Sequence, residues 1–437
     1  MQNNNSTLAR HGLLAEDVFK DFNGGVSNAA ALVKGLIERN GLKDFSNVPD
    51  HELIAMLKET SRGIQSPGPG MLIDPVQGDL PLTDFDPYIR GIVRWLNELG
   101  IYTFGSCDGH GRTPAMILLK KFPNAKQLEV LKTAALEEID FRCEGKRVSL
   151  RYPEDKQELL LNMAENLYRL WNNPGYLTDL QAMKFKSFLI EMLSIPGSSG
   201  NERAITLRLR NKLLRLLDHT YIDKKGNLLG FIELGQGPTI LLSSHMDTVE
   251  EIETGREIMV NGTMLSSSKG ILGADDRAGI AAIIEILRRL PKTNFRGTIK
   301  VAFTVEEEIG CLGSRGIDRD FLEDVQAAIV IDRRGNRDIV TSNRGFPFCP
   351  EEFGFIMEKA GKFAGMDDWK AVPGGISDAK VFSSFGIPSV NLSVGYQHEH
   401  TDLETLDYRA TFETVLLVES FFHHILGEKN ENITLSI

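Results

Sequence analysis

The sequence predicts a two-part chain, with an N-terminal α+β unit over residues 1–175 and a C-terminal α/β domain over 176–430 built on a mixed, mostly parallel sheet. Three observations lead there. The chain has 437 residues, well beyond the roughly 150 of a single domain. Past residue 176, apolar runs of strand length alternate with helical patterns. Between two long helical patterns, WNNPGYLT (171–178) places Pro and Gly where a chain breaks.

Composition narrows the function classes. Hydrophobic residues make up 42% and charged residues 25%, enough to bury a core without disulfides or a structural metal. Acidic residues outnumber basic ones 60 to 49, for a net charge of −11, which opposes binding to nucleic acid. No apolar run reaches the ~20 residues of a membrane span. The opening MQNNNSTLARHG lacks a basic start followed by an apolar stretch, so no secretory leader is expected. Cys107, Cys143, Cys311 and Cys349 are scattered and form no C-x-x-C pair, the pattern of reduced thiols in a cytoplasmic protein.

The elements follow in order. ALVKGLIERNG (31–41) is a helix that stops at Gly41. The Gly- and Pro-rich stretch 61–82 reads as a linker or extended arm. DPYIRGIVRWLNELG (86–100) is an amphipathic helix, IYTFGSC (101–107) a strand, 125–136 a helix, 139–152 a hairpin and 155–171 a long helix. In the C-terminal half, helices are expected at 180–195, within 196–217, at 277–290, 377–385 and 410–426. Strands are expected at 226–234, 239–244, 298–305, 327–331 and 388–394. Ser198 or Ser199 is the expected cap of the second of those helices. The last ten residues read as a loose tail.

Five segments of the C-terminal half set metal-ligating residue types just after strand-like runs. TILLSSHMDTVE carries His245 and Asp247, and strand alternation points residues two apart the same way. ILGADDRAG carries Asp275 and Asp276 ahead of a helix, where acids also act as caps. KVAFTVEEEIG ends in Glu306, Glu307 and Glu308, AAIVIDRRG in Asp332, and YQHEHTDLE holds His398 and His400. Ligands of open α/β sheets gather beyond the carboxyl ends of strands, so these residues can converge. Acids at the mouth of a buried strand need a partner, and one cation answers for several of them.

In this order the motifs resemble the co-catalytic dinuclear zinc exopeptidases: peptidase T, the carboxypeptidase G type and the lidless zinc aminopeptidases. HMDTV, LLGADDRAG-like ILGADDRAG and EEEIGCLG look especially like peptidase T, and the likeness covers about residues 180–430. It implies a three-layer zinc-exopeptidase domain. It also implies His245 and Asp332 on one metal, Glu308 and His400 on the other, and Asp275 bridging both, with a cis Asp275–Asp276 bond. Asp247 would orient His245, and Glu307 would be the general base. His400 is the better match for the last ligand, with His398 its competitor.

The chemistry is coherent on its own terms. Imidazole and carboxylate suit zinc, with manganese or cobalt as alternatives. Two such ions can share a water and lower its pKa toward ~7, and Glu307 can shuttle its proton, a role worth about 10²–10⁴-fold. Lidded relatives carry a dimerising domain of about 100 residues between the last two ligands. Residues 333–399 must already supply sheet elements, so the lid is expected to be missing. That favours a metallopeptidase of aminopeptidase type acting on short peptides. An amidohydrolase removing acyl groups from N-acyl amino acids is the alternative, and a non-catalytic binding protein with a vestigial site is the reading from another class. Ser377 and Asp378 either touch substrate or cap a helix, and Arg333 and Arg334 either bind a substrate carboxylate or face solvent. In the N-terminal unit, SCDGHGRTP (106–114) gathers Cys107, Asp108 and His110, as a second metal or substrate site or as a tight turn. This unit is also a candidate for covering the cleft or for self-association.

Overall fold

Long periodic stretches of this chain form the elements their patterns require. The structure is a computed structural model that describes residues 2–22, 25–42, 44–62, 64 and 79–426. Most of the expected arm over 61–82, and the tail after 426, lie outside the described residues. The chain divides into two compact units, Met1–Lys184 and Phe185–Ile437. The division falls inside a helix, nine residues past the expected 175, because the turn at Asn173–Gly175 is followed at once by a new helix from Tyr176.

The first unit contains α1 (Gln2–Arg10), the short pair β1 (Asp21–Phe22) and β2 (Gly25–Val26), α2 (Asn28–Asn40), α3 (Asp50–Ser61) and α4 (Arg90–Glu98). Then come β3 (Thr103–Cys107), β4 (Ala115–Leu119), α5 (Ala125–Ala134), β5 (Asp140–Glu144), β6 (Arg147–Arg151), α6 (Glu158–Asn172) and the start of α7 (Tyr176–Leu193). Four strands form an antiparallel sheet in the order β3-β4-β6-β5. Strand alternation sends Ala115, Ile117 and Leu119 of β4, with Val148 and Leu150 of β6, into one core with Trp95 of α4 and Leu160 and Leu167 of α6. Trp95 stacks on Trp171 at 5.5 Å between ring centres and donates its indole N–H to Ala9 O at 2.7 Å. Beside it, buried Arg94 forms a forked ion pair with buried Asp17.

The second unit begins with the rest of α7 and continues through α8 (Arg203–Leu213), β7 (His219–Ile222), β8 (Leu228–Glu233), β9 (Thr239–His245), β10 (Ile258–Asn261), β11 (Met264–Ser267), α9 (Ala274–Arg289) and β12 (Thr298–Thr304). Next are α10 (Leu312–Arg315), α11 (Arg319–Leu322), β13 (Ala327–Arg333), β14 (Asp338–Asn343), β15 (Phe346–Pro347), α12 (Glu351–Phe363) and β16 (Lys370–Pro373). The last are α13 (Asp378–Ser384), β17 (Ser389–Ser393), β18 (Tyr396–Gln397), β19 (Thr405–Asp407) and α14 (Tyr408–Ser420). Nine strands form the main sheet, in the order β15-β14-β17-β13-β9-β12-β8-β7 with β16 beside β14. Its centre, β12-β9-β13-β17, is parallel, while β7, β8, β14 and β15 join antiparallel at the flanks. The sheet is therefore mixed, and less parallel than expected, because hairpin-like flanks add antiparallel pairs. Every residue of β9 is buried, as a central parallel strand requires.

Two features place the site. The parallel register sets Thr304 of β12 against His245 of β9, so both strands open at the same edge. Helix α9 packs on β9 and β13, and Gly279 makes that approach close: a Cβ there would lie 2.0 Å from Ile331 O and 2.5 Å from Asp276 Oδ2. Leu241, Ala302, Ala328 and Val330 form a cluster with Ala379 and Phe382 of α13. From Asp332 to His400 the chain adds β14–β17 to the main sheet, with helices α12 and α13 on it, and builds no separate domain. Among the described residues, no helix is long and apolar enough to cross a membrane.

The expected caps at Ser198 and Ser199 are corrected. The helix begins at Arg203 after Glu202, and Ser198 Oγ donates instead to Glu251 and Ser199 Oγ to Asp247.

Candidate metal centre

His245 is the last residue of β9, 2% exposed, where the buried run TILLSSH ends. Its Nε2 lies 3.0 Å from Asp275 Oδ1 and 3.5 Å from Asp332 Oδ1. Its Nδ1 faces Asp247, 3.0 Å from the carbonyl oxygen and 3.3 Å from Oδ1. Asp275 stands at the start of α9, joined to Asp276 by a cis peptide bond. Its other oxygen is 3.3 Å from His400 Nε2, and that nitrogen is 2.9 Å from Glu308 Oε2. The ligand atoms thus form two groups of three, His245–Asp275–Asp332 and Asp275–Glu308–His400, each with its atoms within 4.8 Å of one another. Asp275 belongs to both. His398, exposed and with a positive φ of 57°, belongs to neither.

The three consecutive glutamates separate. Glu306 pairs with Lys225. Glu307 and Glu308 turn into the cluster because their amides both donate to Asp247, at 3.0 and 3.1 Å. Asp247 is fully buried and also accepts from Ser199 Oγ at 2.7 Å. Glu307 Oε1 accepts from the Cys311 thiol at 3.2 Å, and Asp378 completes a third acidic group with them. Burial and the nearby acids push the Cys311 thiol up, so it stays protonated.

Electrostatics agree with a cation. Burial, opposed by His245, pushes Glu307 up to about 9 and both Glu308 and Asp332 up to about 7. Burial would also raise Asp275, but bonds to His245 and His400 hold it well below the usual range. Glu308 Oε1 is buried without a hydrogen-bond partner. Arg277, fully buried nearby, spends its guanidinium on the carbonyls of Met246, Ile195 and Gly197. Several carboxylates, two imidazoles, an orphaned oxygen and a shared Asp fit two borderline divalent ions.

Supporting residues escaped the sequence reading. Tyr396 Oη donates to Asp332 Oδ1 at 3.0 Å, and Asn391 Oδ1 accepts from the Asp332 amide at 2.9 Å. Glu404 accepts from the amides of Gly273 and Asp275, at 2.6 and 3.0 Å, and so pins the start of α9. Ser377 caps α13 and is 1% exposed, while Asp378 accepts from Thr304 and Ser314, so both are committed inside the protein. Arg333 sits 3.5 Å from Asp338, and Arg334 bonds Glu399 at 3.0 Å.

Comparison with known proteins follows the same region. Residues 227–415 match the model of Peptidase family M28. "Uncharacterized protein YqjE" of Bacillus subtilis (strain 168) is 38% identical over 99 residues, 22% of this chain and 27% of that one. Peptidase T of Pectobacterium atrosepticum is 40% identical over 82 residues, 18% of each chain. The chain thus spans about a quarter or less of the length of these relatives. Among solved structures, aminopeptidase PepT from Bacillus cereus ATCC 10987 aligns over 55% of this chain and 98% of its own, with TM-score 0.50 and 20% identity. A Staphylococcus aureus tripeptidase aligns over 56% and 98%, also with TM-score 0.50 and 20% identity. This chain is thus similar in fold to these two peptidases over about half of its length, and residues 227–415 are similar in sequence to Peptidase family M28.

Proposed function

We propose that the second unit is a dinuclear-metal exopeptidase that removes residues from the amino end of short peptides. The observation that carries this reading is the pair of three-residue donor groups sharing Asp275, with Glu307 alongside. His245, Asp275 and Asp332 would hold one ion, and Asp275, Glu308 and His400 the other, zinc being the best match to nitrogen and carboxylate donors. Bound there, the ions supply Lewis acidity to the scissile carbonyl and to the attacking water.

The chain's own residues do the rest. Glu307 takes the proton of the attacking water and returns it to the leaving amine. Asp247 holds that base in place: one carboxylate orients the His245 ring and receives the amides of both Glu307 and Glu308. The Cys311 thiol donates to one Glu307 oxygen, which leaves the other to handle the proton. Tyr396 holds Asp332 in the same way.

The amino-end preference is supported by the interval from Asp332 to His400, which adds strands to the sheet and no separate domain that could clasp a substrate carboxylate. The names of the aligned aminopeptidase and tripeptidase point the same way. A panel of di- and tripeptides beside N-acyl amino acids, with zinc added back, tests it. Release of N-terminal residues is expected. Cleavage of N-acyl amino acids alone would establish a deacylase instead, and two bound ions with no turnover of either class would sink the reading.

A further inference from the structure

We propose a separate divalent-metal site in the first unit, formed by Asp86, Cys107, Asp108 and His110 and suited to zinc. The donor atoms of all four residues lie within 4.8 Å of one another. None of them belongs to the centre of the second unit, so the inference does not depend on the proposed activity.

The local sequence explains the clustering. Strand β3 ends at Cys107, and Asp108 then accepts the His110 amide at 2.9 Å to close a single turn. The chain doubles back through left-handed backbone at Gly109 and His110, with φ of 78° and 50°. Gly109 is needed there twice over, since a Cβ would also come 3.1 Å from Pro114 C. The turn places the His110 ring beside Cys107 and Asp108. Its Nε2 lies 3.9 Å from Cys107 Sγ, and its Nδ1 3.1 Å from Asp108 Oδ1. Asp86, just ahead of α4, reaches over and accepts the Asp108 amide at 3.1 Å. The Gly109 amide donates to Cys107 Sγ at 3.4 Å.

Charge supports a cation here. Two carboxylates, a thiol and an imidazole share one small volume, and among the described residues no Lys or Arg forms an ion pair with Asp86 or Asp108. Buried Arg90 acts on Asp86 through space, with its Nε and Nη1 unpartnered. A tetrahedral zinc with bonds of ~2.0–2.3 Å needs donors roughly 3–4 Å apart, which small side-chain rotations provide. Sulfur, nitrogen and oxygen donors together select zinc over magnesium or calcium. His110 is 68% exposed, so the site is open at one edge and can exchange its ion.

The full-length protein, kept reduced and loaded with Co²⁺, tests this. A sulfur-to-cobalt charge-transfer band in the near ultraviolet is expected, because the donors of the second unit are nitrogen and oxygen. Cys107→Ser should abolish the band and lower bound metal by one ion per chain. His110→Ala alters an exposed ring and leaves the core intact, and it should weaken zinc binding at this site by roughly tenfold or more. Cys311→Ser should leave the band in place. A wild-type protein with no band, a band that survives Cys107→Ser, or one that disappears with Cys311→Ser would each overturn the site. Zinc should also protect Cys107 from iodoacetamide, and equal labelling with and without zinc would overturn it too.

Discussion

Asp247 is the residue on which the geometry of the centre turns. Strand alternation predicts that it faces the same way as His245, yet β9 ends at His245, and the contact is made by the loop that follows. The loop carries the carboxylate back to the imidazole and under two successive amides, a convergence no local pattern encodes. Glu307→Gln should keep the metal content and lower kcat by about 10²–10⁴-fold, read from steady-state kinetics beside metal analysis. The two histidines give a sharper test. His400→Ala should lose one ion per chain, because His400 is 2.9 Å from Glu308, while His398→Ala should retain both. Equal metal loss from both variants would show that His398 also ligates.

Among the elements, α9 and the parallel strands beneath it hold the centre in register. Gly279 lets α9 lie against β13, and its amide donates to Asp276 Oδ1 at 2.9 Å. Gly279→Ala should therefore destabilise the second unit by about 1–3 kcal/mol in denaturant titration, despite the better helix propensity of alanine. An unchanged midpoint would mean that the helix can move off the strand without cost. The strands and helices around this centre were legible because they are long and apolar: TILLSSH, TIKVAFT and AAIVIDR each run seven residues. The short strands β10, β11, β14–β16, β18 and β19 were not. They are two to six residues long and owe their form to partners far away in sequence. In the first unit, β4 and α3 were not named, although AMILL is a continuous apolar run and α3 buries Leu53, Ile54 and Leu57 at helical spacing.

For the molecule as a whole, each unit has its own electrostatic sensitivity. Chelation should abolish hydrolysis and lower the melting temperature of the second unit, since bound ions stabilise only the folded state, and added zinc should restore both. Persistence of activity after exhaustive chelation would rule out the metal mechanism. The first unit should respond to acid. Burial raises the Asp17 carboxyl, but the Arg94 guanidinium outweighs it and holds the group below its ordinary 3.8. A carboxyl lowered in the folded state stabilises it fully above the unfolded value and loses that contribution as pH falls through the folded one. The melting temperature of the first unit should thus fall below about pH 4, and Asp17→Asn should flatten that dependence. Arg94→Ala, which leaves a buried carboxylate unpaired, should cost about 3–5 kcal/mol.

Taken alone, the residue order pointed to metal chemistry in the second unit: acids and imidazoles placed at the ends of apolar runs need a partner, a cation can serve several of them at once, and that constraint is local. What tertiary structure decided is which of those groups meet. Parallel pairing brought β9, β12 and β13 to one edge, Asp275 between two histidines, Glu306 out to Lys225, and Asp378 into the protein, because such contacts join positions tens of residues apart and depend on how helices and strands pack.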